Sequence, residues 1–233
     1  MKNIVVVPTY NEKENITNLI TNIVKKNLNL DILIVDDNSP DKTSDIVKKL
    51  AKNVSKNKIF VLDRKIKNGL GKAYIAGFNW ALEHNYDIII QMDADFSHDP
   101  KYLPQMLNEI KDNDLVIGSR YVKGGGTKGW TIDRKILSRG GSLYAKTILM
   151  VPLNDLTGGF KCWRSSLLKK INIDKITSNG YSFQIEMNYR ACKNKARIKE
   201  IPIIFVDRDK GKSKMNKKII LEAIWKVWSI KFK

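Results

Sequence analysis

Two carboxylates separated by one residue, Asp93-Ala94-Asp95, follow the apolar run Ile88-Ile89-Ile90-Gln91-Met92 without a break. Such a run reads as a buried strand, and in an open α/β sheet ligands bind beyond the carboxyl ends of the strands. Aspartates this close repel unless a cation joins them. An all-oxygen set suits Mg²⁺ or Mn²⁺, which take one or two protein carboxylates and complete their shells with water and substrate phosphate. The chemistry implied is capture of a diphosphate. A lone Asp-x-Asp also has a plainer use, because Asp95 precedes Pro100 and a helical pattern, where an aspartate caps a helix.

The other polar corners weigh on that choice. Pro8-Thr9-Tyr10-Asn11-Glu12 follows the apolar Ile4–Val7, and Asp36-Asp37-Asn38-Ser39 follows Ile32–Val35. Singly, each is ordinary turn chemistry; recurring after successive strands, they place three polar corners on one edge of one sheet. Gly69-Leu70-Gly71-Lys72 is a weaker signal. A Walker A loop needs a glycine and a hydroxyl where Ile66 and Ala73 stand, and a dinucleotide fingerprint needs a third glycine where Tyr74 stands. These glycines read as a turn opening a helix, which argues against a P-loop NTPase or an NAD-dependent oxidoreductase.

The elements that must hold these corners alternate at the spacing of βαβ units, predicting an α/β fold with a mostly parallel, Rossmann-like sheet and helices on both faces. Strands are expected at Ile4–Val7, Ile32–Val35, Ile59–Leu62, Ile88–Met92 and Leu115–Ile117, and helices at Glu12–Lys25, Asp41–Asn53, Gly71–His84 and Pro100–Ile110. Asp41 is a candidate N-cap and Pro100 a start signal. From Gly118 the rhythm breaks. Lys123–Thr127 reads as a mobile loop, Arg134–Met150 and Ser182–Lys193 as helices, Lys199–Val206 as a last strand, and Ile219–Phe232 as an amphipathic helix carrying Trp225 and Trp228.

With 233 residues, 42% hydrophobic, the chain can build one full core. Its 42 basic against 24 acidic residues give a net charge of +18, which favours nucleic acid, acidic headgroups or phosphorylated metabolites as partners without choosing among them. Cys162 and Cys192 form no CxxC pair, so neither a disulfide framework nor a zinc site is signalled, and a reducing cytosol is the expectation. Ile4–Val7 is too short for a signal-peptide core, and Ile219–Phe232, broken by Glu222, Lys226 and Lys231, falls short of the roughly 20 apolar residues of a membrane span.

Taken together, Val7-Pro8-Thr9-Tyr10-Asn11-Glu12, Val35-Asp36-Asp37-Asn38-Ser39-Pro40-Asp41, Met92-Asp93-Ala94-Asp95-Phe96-Ser97-His98 and Gly118-Ser119-Arg120-Tyr121 resemble family 2 glycosyltransferases of the GT-A fold. Asp155-Leu156-Thr157-Gly158-Gly159-Phe160 and Val206-Asp207-Arg208-x-x-Gly211-x-Ser213-Lys214 look like its dolichol-phosphate (polyprenol-phosphate) mannosyltransferase branch. The resemblance runs from residue 4 to about 215. It implies one catalytic domain over 1–215, with 1–118 binding the nucleotide sugar and 119–215 serving the acceptor, followed by a C-terminal amphipathic helix at 216–233.

Carried over by residue, the resemblance implies that Pro8, Tyr10, Glu12, Val35 and Asp37 hold the donor nucleoside, while Asp93, Ala94 and Asp95 bind diphosphate and metal, Mg²⁺ or Mn²⁺. Where some relatives have a Gln as third metal ligand this chain has Ser97, a weaker ligand. Arg120, Arg134, Arg208 and Lys214 match phosphate-holding positions and Ser138 a hydroxyl near the acceptor, so that Asp95, Arg120, Arg134 and Ser138 form the expected catalytic group. The implied partners are GDP-mannose, or UDP-glucose as the nearest rival donor, a dolichyl or polyprenyl phosphate, and a membrane surface. The implied location is peripheral, on the cytoplasmic face, with a small membrane-protein partner as a further option. Nucleic acid has only net charge in its favour and is not an expected partner.

The chemistry agrees with that resemblance. A lipid monophosphate is largely ionised at neutral pH and needs no general base, which suits a chain with only two histidines, His84 on a helix surface and His98 in a turn beside the metal corner. Direct displacement with inversion is expected, with Lys123–Trp130 as a lid.

Overall fold

The computed structural model describes residues 1–54, 57–207 and 225–232. Strands β1 (Asn3–Thr9), β2 (Asp31–Asp36), β3 (Ile59–Asp63) and β4 (Ile88–Gln91) alternate with helices α1 (Lys13–Val24), α2 (Thr43–Ala51) and α3 (Leu70–Glu83), as the βαβ spacing requires. A 3₁₀ turn at Pro100–Tyr102 then leads into α4 (Leu103–Glu109), so the expected Pro100 helix begins with a tighter turn. The rest comprises β5 (Leu115–Ser119), β6 (Gly126–Lys128), α5 (Ile132–Leu149), β7 (Lys161–Arg164), α6 (Ser165–Ile171), α7 (Gly180–Lys193), β8 (Ile198–Pro202) and β9 (Ile204–Val206). Residues 225–231 form a further helix, α8.

Seven strands form one sheet in the order β3-β2-β1-β4-β7-β5-β8, with β6 and β9 paired separately. Only β7 runs against its neighbours, with Cys162 opposite both Ile90 of β4 and Val116 of β5. Two-residue periodicity sorts the strands into two layers. Ile4, Val6, Leu33 and Val35 meet α3, α6, α7 and α8 on one face, while Val5, Val7, Ile32 and Ile34 meet α1, α2 and α4 on the other. Helix α3 lies very close to the sheet, since a Cβ on Gly77 would stand 2.4 Å from Val6 Cγ1.

Several expectations need correcting. The Asp41 helix begins at Thr43, because Lys42 takes a left-handed φ of 64° while Asp41 Oδ1 accepts the Thr43 N–H at 3.0 Å. The expected strand Lys199–Val206 is two strands in two sheets. After Pro202, Ile203 donates its N–H to Ser119 O (3.0 Å) and accepts from Gly126 N (2.9 Å), carrying the chain across to β6. The loop expected at Lys123–Thr127 is therefore partly strand, tied to β9. β7 and α6 were not foreseen. Of the expected C-terminal helix, residues 219–224 lie outside the described residues. In α8, Val227 and Ile230 are buried in the core while Trp225, Trp228 and Phe232 are 75%, 40% and 78% exposed. No helix among the described residues is long and apolar enough to cross a membrane.

Candidate active site

The corner after β1 and β2 is closed by Asp36, which accepts from Thr9 Oγ1 (2.8 Å) and from Ser39 N (2.8 Å) and Oγ (2.7 Å). Asn11 and Asn38 adopt φ of 62° and 57°, left-handed values that asparagine tolerates best among side-chain-bearing residues. With Asp36 so occupied, Asp37 faces Arg64 at 2.5 Å. Burial raises the Asp37 carboxyl, the Arg64 guanidinium opposes it, and the net shift is upward. Arg64 also reaches Asn68. Tyr10 is 37% exposed under Lys67, whose Nζ lies 3.4 Å from the ring centroid. Glu12 takes the Asn15 side chain at 2.8 Å and its N–H reaches Thr43 Oγ1 at 3.0 Å. Pro8 and Val35 are buried opposite one another in the paired strands β1 and β2, and the Val35 side chain belongs to the core.

Asp93 and Asp95 stand past the end of β4. Asp93 Oδ1 accepts the Tyr74 hydroxyl at 2.6 Å, and Asp93 N–H donates to His98 Nδ1 at 2.9 Å. Burial holds the Tyr74 phenol well above its usual range, with Asp93 reinforcing the shift, so it stays a donor. His98 is buried and stacked on Phe160 at 4.9 Å. Burial depresses its pKa, and Nδ1 serves as an acceptor, so the ring is neutral with its proton on Nε2. It supports the corner from behind. Phe96 has a left-handed φ of 61°, and Asp95 Oδ1 accepts the Ser97 N–H at 3.1 Å. Ser97 itself is 2% exposed. The capping role goes elsewhere, because Asp99 Oδ1 takes the Lys101 N–H at 2.8 Å.

Among the described residues no three His, Cys, Asp or Glu side chains converge on a point. Asp93 and Asp95 form a pair of carboxylates past the strand end, a donor set that suits Mg²⁺ or Mn²⁺ sharing its shell with diphosphate oxygens and water. Gly159 lies against Asp93. A Cβ there would stand 3.5 Å from Asp93 Oδ2, 3.3 Å from His98 Cε1 and 3.5 Å from Gln184 Nε2. Gln184 Oε1 accepts from Lys161 Nζ (2.8 Å) and Gln91 Nε2 (2.9 Å), so a buried amide network lies beneath the corner. Burial lowers the Lys161 ammonium to about 7.

Across the edge, Arg120 is buried against Asp155, which accepts its Nε at 2.7 Å, its Nη2 at 2.6 Å and its backbone N–H at 3.0 Å. Nη2 also reaches Thr157 Oγ1 at 2.7 Å. Burial favours a neutral Asp155 carboxyl, but Arg120 outweighs it and the carboxyl lies below its usual range. Glu200 accepts the backbone N–H groups of Asn154 and Asp155, both at 2.9 Å, anchoring that loop to β8. Tyr121 donates to Ser138 Oγ at 2.7 Å; Arg134, one turn earlier on α5, donates to Asp207 Oδ2 at 2.8 Å and lies 4.2 Å from the Trp130 ring. The structure therefore brings Arg120, Arg134 and Ser138 to one cluster. Arg208 and Lys214 lie outside the described residues. Trp130, at the end of the segment expected as a lid, is 9% exposed and packed edge-on to Phe205.

Reasoning from the sequence missed Tyr74, seen only as a break in a glycine motif, and Arg64, Gln184, Lys161 and Phe205, which carry no local signal. Asp155 stood inside a quoted motif with no role assigned.

The profile described as "Glycosyl transferase family 2" matches residues 4–172. The chain is 43% identical to an undecaprenyl-phosphate mannosyltransferase of Micrococcus luteus, over 96% of this chain and 91% of that protein. It is 39% identical to a polyprenol monophosphomannose synthase of Mycolicibacterium smegmatis, over 99% and 88%. Among solved structures it resembles glucosyl-3-phosphoglycerate synthase of Mycobacterium tuberculosis with Mn²⁺ and UDP, at TM-score 0.69 and 16% identity over 98% of this chain and 80% of that one. It also resembles a mannosyltransferase of Pyrobaculum calidifontis with GDP-Man and Mn²⁺, at TM-score 0.60 and 16% identity over 98% and 73%. The fold is the GT-A arrangement expected from the motifs, and the chain belongs to glycosyl transferase family 2.

Proposed function

We propose that this chain is a metal-dependent, inverting mannosyltransferase that moves mannose from GDP-mannose to a polyprenyl or dolichyl phosphate at a membrane surface. One observation carries the reading: a carboxylate pair relieved of capping duty faces a strand-end edge whose opposite side is a cluster of arginines, tyrosine and serine. One side suits a metal–diphosphate donor and the other an anionic acceptor. The names of the two curated relatives support mannosyl transfer to a polyprenyl phosphate.

In this reading Pro8, Tyr10, Glu12, Val35 and Asp37 hold the nucleoside, and Asp93, Ala94 and Asp95 hold the diphosphate and cation, with Ser97 the third ligand candidate. When bound, Mg²⁺ or Mn²⁺ neutralises charge developing on the leaving diphosphate. Arg120, Arg134, Arg208 and Lys214 bind phosphate oxygens, and Ser138, held by Tyr121, orients the acceptor. An acceptor phosphate oxygen attacks the anomeric carbon, the bond to the diphosphate oxygen breaks, and GDP leaves on the opposite face with inversion. Residues 1–118 serve the donor and 119–215 the acceptor. The exposed Trp225, Trp228 and Phe232 together with the +18 charge suit contact with anionic lipid on the cytoplasmic face.

A UDP-glucose donor is the second reading, favoured by the likeness to a UDP-binding synthase. The discriminating experiment offers GDP-mannose and UDP-glucose in parallel to undecaprenyl and dolichyl phosphates in detergent and identifies the glycolipid. A β-linked mannolipid is expected from α-linked GDP-mannose. Glucolipid alone replaces the donor, and retention of configuration overturns direct displacement.

A further inference from the structure

Four buried side-chain polar atoms among the described residues have no hydrogen-bond partner: Asn3 Oδ1, Asn57 Oδ1, Asn188 Oδ1 and Trp130 Nε1. The Trp130 atom is the one donor among them. An indole N–H can only donate, and leaving it buried without an acceptor is costly. Its surroundings state what acceptor it suits. The Arg134 guanidinium lies 4.2 Å from the ring centroid and that of Arg120 5.5 Å away, a setting that favours an anion. Neither cation has its full fork to give, since Arg120 is engaged through Nε and Nη2 by Asp155 and Thr157, and Arg134 through Nη1 by Asp207. A neutral donor between two partly occupied guanidinium groups supplies a further hydrogen bond without adding charge.

We propose that Trp130 is an acceptor-phosphate ligand, its Nε1–H donating to an oxygen of the prenyl phosphate while its ring face holds Arg134 in place. This rests on the acceptor side assigned above and deepens it. Two features favour the acceptor over the donor diphosphate. Trp130 leads directly into α5, which carries Arg134 and Ser138 and exposes Ile132 (75%) and Ile136 (68%), an apolar surface fit for an isoprenoid tail. On its other side the ring packs edge-on to Phe205 at 5.3 Å, and Phe205 packs edge-on to His98 at 5.6 Å, the ring that holds the Asp93 backbone. One aromatic side chain thus separates the indole from the residue behind the metal corner, so a phosphate held by the indole lies apart from the Asp93–Asp95 pair.

The test is Trp130→Phe, which keeps a ring for Phe205 and Arg134 and deletes only the donor. The KM for prenyl phosphate should rise about 10- to 100-fold, the range for a hydrogen bond to a charged group, while KM for GDP-mannose and the thermal midpoint stay unchanged. Alongside it, protein labelled with ¹⁵N-tryptophan has five indole signals, and the one lost in Trp130→Phe is Nε1 of Trp130. That signal should move downfield with geranyl phosphate and stay in place with geraniol or with GDP and the diamagnetic Mg²⁺. An unchanged acceptor KM, equal rises for donor and acceptor, or a signal that follows GDP and Mg²⁺ would overturn the proposal. If the wild-type enzyme transfers no sugar to any prenyl phosphate, the functional reading fails by itself, and the indole signal with geranyl phosphate still decides the role of Trp130.

Discussion

Asp36 and Asp155 are both buried carboxylates at the polar edge of the sheet, 2% and 0% exposed, yet they are satisfied in opposite ways. Asp36 is held by hydroxyls and an N–H, two of them from Ser39 three residues away. Asp155 is held by the guanidinium of a residue 35 positions distant and by N–H groups including that of Gly158. The first corner is closed by neutral, largely local bonds; the second stands on a buried ion pair between two loops. The N-terminal corner is therefore fixed without a charge pair, whereas the C-terminal one depends on a charge pair whose loss leaves a buried cation.

Five substitutions and a pH series on a sixth probe that contrast and the elements around it. The largest effect is expected at Asp95→Ala, which should lower metal-dependent transfer by about 10³-fold, the scale of losing an electrostatic stabiliser of the transition state, with little change in the melting temperature. Asp155→Asn should follow, destabilising by about 3–5 kcal/mol because Arg120 is left buried and unpaired; Asp36→Asn should cost about 1–2 kcal/mol, nearer the worth of neutral hydrogen bonds. Equal losses in urea unfolding would erase the contrast. Gly77→Ala should cost about 1–3 kcal/mol through overpacking against Val6 and Val35.

The pH dependence turns on Lys161. Its ammonium is lowered by burial to about 7, so between there and the ordinary lysine range the unfolded chain binds a proton that the folded chain lacks. Stability from this group rises with pH across that window, by at most about 1.4 kcal/mol per pH unit, and is level below it. In Lys161→Met the slope disappears, so the variant's advantage in urea melts should shrink from pH 7 to pH 9. The smallest effect belongs to Gly140→Ala on α5, where a Cβ meets nothing within 4 Å; a gain of about 0.5–1 kcal/mol is expected from helix propensity alone.

The same contrast explains what could be read from the sequence. β1 to β5 and α1 to α4 are written in short-range patterns, continuous β-branched runs alternating with helical periodicity. The aspartate corners are legible because they follow those runs directly. β7 is not: Lys161-Cys162-Trp163-Arg164 is four residues with a buried lysine, and its insertion between β4 and β5 depends on partners about 45 to 75 residues away. The Arg120–Asp155 pair and the Trp130–Phe205–His98 seam are likewise products of tertiary contact. Arg134 and Ser138 became visible through motif resemblance, whereas the Tyr74 hydroxyl on Asp93 had no such support. The N-cap position expected for Asp41 belongs to Lys42, and Asp41 accepts the Thr43 N–H from one residue further out.

Transfer of labelled mannose from GDP-mannose to undecaprenyl phosphate, with Mn²⁺, then with excess chelator, then with Mn²⁺ restored, tests the central claim most directly. The expected result is mannolipid that stops with chelator and resumes with the metal. Mannolipid formed at the same rate under chelator would contradict the role given to Asp93 and Asp95, and no mannolipid under any of the three conditions would contradict the function itself.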